Sequence, residues 1–133
     1  MPRYPSLGFT ASRFDGRDWE FRAAEWASSA PRGPGGAIRL RDSAAVFDQR
    51  AVPCCTSCAV AACMQIVDAR HQGWTRLSPL YHYYALRRGG SDLEAFELRE
   101  ALEAATEVGF SALDLHDPPF DARGAQRRPS EAG

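Results

Sequence analysis

The chain has 133 residues, 44% of them hydrophobic and 25% charged, which suits one small domain and is too apolar for a disordered segment. Sixteen basic and 17 acidic side chains leave a net charge of -1, which argues against electrostatic capture of nucleic acid or of an anionic membrane surface. The opening Met1-Pro2-Arg3-Tyr4-Pro5-Ser6 lacks the apolar run of a secretory signal, and no stretch reaches transmembrane length, so a cytoplasmic chain is expected, with free thiols and no disulfide framework.

Residues 1–36 carry Pro2, Pro5, Pro31 and Pro34 among five glycines, too much punctuation for long regular elements. An extended arm is expected there, anchored by Trp19, Phe21 and Trp26, and Ala37-Ile38-Arg39-Leu40 reads as a short strand. Residues 37–118 read as a helical half-domain. Its first helix opens at the cysteines, and Cys55, Ala59, Ala62, Cys63, Ile66 and Val67 recur at three-and-four spacing; the small residues predict a central buried helix. Ser78 as N-cap, Pro79 at the first helical position and Gly89-Gly90 as the stop define a second, aromatic-rich helix. Ser91 and Glu94 have capping-box spacing ahead of Ala95, Leu98, Ala101, Leu102 and Ala105, with Gly109 terminating a third helix. Residues 119–133 are polar and rich in Arg, Pro and Ala, and a loosely held tail is expected.

Three of the four cysteines crowd into Pro53-Cys54-Cys55-Thr56-Ser57-Cys58. A thiol at the start of a helix is where the helix dipole favours a thiolate. Cys55 and Cys58 also spell C-x-x-C, a redox or zinc pattern, but four thiols on one helix and its leading turn do not converge tetrahedrally. No metal or cofactor is therefore expected. Cys63 reads as core, His82 as a packed or exposed histidine of the aromatic helix, and His71 and His116 as lying in solvated connections. Tyr81, Tyr83 and Tyr84 read chiefly as core, and Arg87-Arg88 and Arg127-Arg128 as solvated ends.

Several patterns recur in a fixed order. Arg17-Asp18 lies in the arm, Leu40-Arg41 closes the short segment, and Asp48-Gln49 precedes Cys55-Thr56 by a spacing that puts the cysteine six positions after the glutamine. A Ser-Pro-led aromatic segment then spans Leu77 to Arg88, and Leu98-Arg99-Glu100-Ala101-Leu102 runs on to Gly109. This order resembles the papain-like cysteine peptidases, in particular their bacterial relatives. The resemblance implies an α+β fold, of which this chain is the helix-rich N-terminal half with the central helix starting at the cysteine. It implies a thiol hydrolase acting in proteolysis on peptide or protein substrates, with Cys55 as nucleophile and Gln49 in the oxyanion site. Arg50 stands where the family has glycine after the glutamine, and Pro53-Cys54 where it has Gly-Ser.

In that chemistry a thiolate attacks a carbonyl, and the oxyanion needs donors already aimed at it. Cys55 supplies the sulfur and its own N–H, and Gln49 a neutral side-chain amide. The histidine and asparagine of papain itself lie about 130 to 150 residues beyond the cysteine, and the sequence contains no asparagine. His71, His82 and His116 do not stand in the family's histidine context, and Asp114 or Asp117 would orient a base only through a different geometry. The expectation is an incomplete, truncated site, inactive until a second segment supplies His and Asn. The alternative is a non-catalytic pseudopeptidase or interaction module, whose incomplete fold favours self-association or a second chain.

Overall fold

The computed structural model describes residues 9–16, 46–71, 75–90 and 92–130. The Arg17-Asp18 and Leu40-Arg41 pairs, the three arm aromatics and the strand expected at residues 37–40 lie outside them. The described elements, in chain order, are strand β1 (Phe9–Thr10), helix α1 (Cys55–His71), helix α2 (Pro79–Leu86), strand β2 (Phe96–Glu97), helix α3 (Leu98–Glu107) and helix α4 (Ala122–Gln126). This is a helix-rich α+β arrangement. β1 and β2 pair in parallel, Phe9 opposite Phe96 and Thr10 opposite Glu97, and an antiparallel bridge joins Leu77 to Ala112. No helix among the described residues is long and apolar enough to cross a membrane.

Helices α1, α2 and α3 pack against one another, and α4 packs on α2. The core at their meeting is formed by Val52, Cys54, Leu80, Tyr83 and Ala125, flanked by Cys58, Leu93, Phe96 and Phe120. Burying Leu80 and Tyr83 contributes about 1.5–3 kcal/mol for each side chain. The Tyr83 hydroxyl donates to the Glu94 carbonyl at 2.9 Å, so its polar end is satisfied inside.

Helix α2 begins where its local signals place it. Ser78 Oγ accepts the Tyr81 N–H at 3.3 Å, and Pro79 occupies the first turn, where its missing N–H is no loss. Its end differs in detail. Arg88, not a glycine, takes the first left-handed position at φ 51°, followed by Gly89 at φ 70°. The Arg88 N–H reaches the Ala85 carbonyl and the Gly89 N–H the Tyr84 carbonyl, the paired bonds of a Schellman cap.

Four expectations need correction. The stripe expected to bury α1 is the wrong face: Ala59, Cys63 and Val67 are exposed, while Ser57, Val60, Ala61 and Gln65 are buried. The helix is thus half-buried, and Cys63 is not core. Two polar residues set that face because each finds a partner across the packing. Second, α3 starts at Leu98 rather than near Ala95, with Glu97 as N-cap and its N–H donating to Glu100 Oε2 at 3.0 Å. Ser91 lies outside the described residues. Of the expected stripe only Ala101 is fully buried, and Leu98 and Leu102 are exposed.

Third, the loose tail expected over residues 119–133 contains a docked helix. Asp121 Oδ1 accepts the Gly124 N–H at 2.7 Å to start α4, and Ala125 enters the core. Gly124 permits this docking, since a Cβ there would overlap the Pro119 carbonyl oxygen. Fourth, Arg87 is not a solvated end. It is buried, with its guanidinium 5.3 Å from the centre of the Tyr83 ring and Nη1 3.4 Å from the Asp92 carbonyl. Arg88, Arg127 and Arg128 are exposed.

Candidate functional site

The segment leading into α1 is a pair of tight turns. The Val52 N–H donates to the Gln49 carbonyl at 3.0 Å, and Arg50 inside that turn has φ 50°, the positive value that glycine ordinarily supplies. Asp48 Oδ1 accepts the Arg50 N–H at 3.0 Å and helps hold it there. The Cys54 N–H then reaches back to the Val52 carbonyl at 2.8 Å, a three-residue turn centred on Pro53 whose fixed φ suits it. Val52 and Cys54, both buried, pin this loop to the core. Gln49 emerges half-buried from the first turn, and Cys55 is the first residue of α1.

The three clustered thiols are not equivalent. Cys54 is fully buried, Cys55 and Cys58 are half-buried, and Cys63 is exposed. The thiol–thiol contact is Cys54 Sγ to Cys58 Sγ at 3.8 Å, not the Cys55–Cys58 pair of the C-x-x-C reading. The Cys55 thiol is pushed above its ordinary 9.0, first by burial and then by neighbouring Cys58, which together outweigh two backbone hydrogen bonds. Burial and Cys58 thus work against the lowering expected of a thiol at a helix start. Cys54 is raised further, chiefly by its contact with Cys58 and by burial.

The histidines are committed elsewhere. His82 is buried between helices, with Nε2 2.9 Å from the Ala101 carbonyl and Nδ1 3.0 Å from Ser57 Oγ. A carbonyl only accepts, so Nε2 carries the hydrogen; burial lowers the ring's pKa and keeps it neutral, so Nδ1 accepts from the serine hydroxyl. Phe110 stacks on the ring at 4.5 Å. His82 is thus a cross-helix tie and not a base for Cys55. His116 is buried rather than solvated, edge-on to Tyr81 at 6.1 Å, with its pKa lowered by burial and then by Arg127. His71 ends α1. Among the described residues no group of three or more His, Cys, Asp or Glu side chains could hold a metal ion.

No family model, curated protein or solved structure matches the chain. The site is therefore read from its geometry. A cleft of about 540 Å³ lies between the loop at Phe47, Asp48 and Arg50 and the segment from Asp117 to Phe120, with Arg76 on its wall. Gln49 and Cys55 do not line it. A second cleft of about 570 Å³ lies on the far end of α2, among Tyr81, Tyr84, Phe110 and His116. Of the three tyrosines, only Tyr83 is core.

Ser57, Gln65 and the Cys54–Cys58 contact are the residues that sequence reasoning passed over. Ser57, Ala61 and Gln65 stand at i, i+4 and i+8, a single stripe that an apolar count skips because two members are polar. Gln65 Oε1 accepts the Leu77 N–H at 3.1 Å, tying α1 to the entry of α2.

Proposed function

We propose that this chain is a papain-like cysteine peptidase homologue that carries the nucleophile half of the site: Cys55 as nucleophile, Gln49 as side-chain oxyanion donor, and a base supplied by residues outside this sequence. The observation that carries the reading is the placement of Cys55 as the half-buried first residue of α1, directly after a loop whose turns are pinned by Val52 and Cys54. Two departures from the family pattern are compatible with it. Arg50 adopts the positive φ for which glycine is the ordinary choice, and Pro53 sits in a turn that favours its fixed φ.

In the reaction, Cys55 sulfur bonds to the substrate carbonyl carbon as the thiol proton passes to the base. The tetrahedral oxyanion is held by the Cys55 N–H and the Gln49 amide, and the amine then leaves with a proton as a thioester forms. With burial raising the Cys55 pKa and both His82 ring nitrogens committed, His82 is not the base that draws the Cys55 proton. Peptide amides should be untouched. A p-nitrophenyl ester needs no protonated leaving group and should acylate Cys55, faster with added imidazole and still climbing above about pH 9. Cys55→Ser should remove the acyl group that peptide mapping places at residue 55 and leave any reaction of exposed Cys63, and Gln49→Ala should slow acylation at Cys55 by about 10²–10³. Acylation confined to Cys63, or indifferent to Gln49→Ala, would sink the reading.

A second reading, a non-catalytic interaction module, is favoured by the apolar side chains left exposed on α1 and α3: Met64, Val67, Leu98 and Leu102. It predicts concentration-dependent self-association by sedimentation, weakened by Leu102→Glu; a monomer at all concentrations argues against self-association through this surface.

A further inference from the structure

Cys54 and Cys58 stand four residues apart across the first turn of α1, where the Cys58 N–H donates to the Cys54 carbonyl at 3.0 Å. This first helical hydrogen bond fixes the two backbones, and their sulfurs lie 3.8 Å apart. A disulfide is about 2.05 Å long, so the gap that remains to be closed is less than about 2 Å. One sulfur is sealed in the core beside Val52, Leu80 and Tyr83, and the other is half-buried at its edge. Such a pair has a reactive member and a protected one. Cys55, also half-buried, makes no thiol–thiol contact of this kind among the described residues, and Cys63 lies on the exposed face of α1.

We propose that Cys54 and Cys58 form a dithiol site that a hydroperoxide oxidises to a disulfide across the start of α1, with Cys58 attacking and Cys54 resolving. Cys58 sulfur bonds to the terminal peroxide oxygen as the O–O bond breaks, giving a sulfenic acid and releasing water or an alcohol. Cys54 sulfur then attacks that sulfur; the S–S bond forms, the S–O bond breaks, and the hydroxyl leaves with the Cys54 proton as water. The two thiols together lose two electrons, and the hydroperoxide gains them. A small dithiol reverses the change. The bond ties the residue before α1 to its first turn, beside Cys55 but without using it, so the proposal stands whether or not Cys55 is a nucleophile.

The test treats the reduced full chain with equimolar hydrogen peroxide, denatures it, blocks free thiols with N-ethylmaleimide, reduces with dithiothreitol and labels with iodoacetamide. Fragment spectra should place the second label on Cys54 and Cys58 in most chains and the first on Cys55 and Cys63. Cys55→Ser should leave that pattern intact, and Cys58→Ser should abolish the second label. The second label on Cys55, all four thiols blocked by the first reagent, or Cys58 over-oxidised with Cys54 still free would each overturn the proposal. The wild-type map decides alone where a variant fails to fold.

Discussion

At the residue scale, two arginines among the described residues adopt backbone angles that L-residues avoid. Arg50 and Arg88 both sit near φ 50°, a conformation that costs a non-glycine residue about 1–2 kcal/mol. Arg50→Gly and Arg88→Gly should each therefore stabilise the fold by about 1 kcal/mol in urea unfolding, after the added freedom of glycine in the unfolded chain is offset. His82 makes a pH-dependent contribution. Its folded pKa lies below the ordinary 6.5, because burial disfavours the charged ring. Above 6.5 it is neutral folded or unfolded and its contribution is complete. As pH falls below 6.5 the unfolded state takes up the proton first, so stability drops until the folded pKa is passed. His116, also lowered, acts in the same direction. Urea midpoints measured from about pH 8 down to about pH 5 should fall, and His82→Gln should flatten part of that slope.

At the element scale, the start of α2 was legible because its signal is local: Ser78 and Pro79 act on their own turn. The start of α1 at Cys55 was legible for a similar reason, since a proline and a run of small residues flank it. Which face of α1 turns inward was not, because Ser57 and Gln65 are buried by partners some 12 to 25 positions away. Hydrophobic periodicity contains no term for such partners. Helix α4 was missed because its five residues give too short a pattern, although Asp121 three places before Gly124 was a readable cap. These corrections carry their own tests. Ser57→Ala should cost about 1–3 kcal/mol by leaving His82 Nδ1 buried and unpaired, whereas Cys63→Ser on the exposed face should stay within about 0.5 kcal/mol. Gly124→Ala should destabilise measurably by forcing α4 away from Pro119.

At the scale of the whole molecule, the candidate site and the core are one construction. Val52 and Cys54 belong at once to the loop before Cys55 and to the cluster around Tyr83 and Ala125. The thiols divide accordingly, Cys54 inside, Cys55 at the boundary and Cys63, expected in the core, outside. Removing residues 119–133 should therefore disturb the helix start as well as the far end, seen as a lower unfolding midpoint together with faster alkylation of Cys54. The imidazole of His82 has a further role, as a gauge of axial position. It reaches Ser57 on α1 and Ala101 on α3 from its own place on α2, so three helices share one rigid ring. A slide of one residue along a helix axis is about 1.5 Å, enough to break either bond. Apolar packing resists such a slide too, but without the directional limit of a hydrogen bond, and the Gln65–Leu77 bond is a second polar tie between α1 and the entry of α2. The fold thus has its phase set by a polar ring and its cohesion by apolar ones, and His82→Leu should keep the helices packed while letting them drift, visible as broadened amide resonances along α1 and α3.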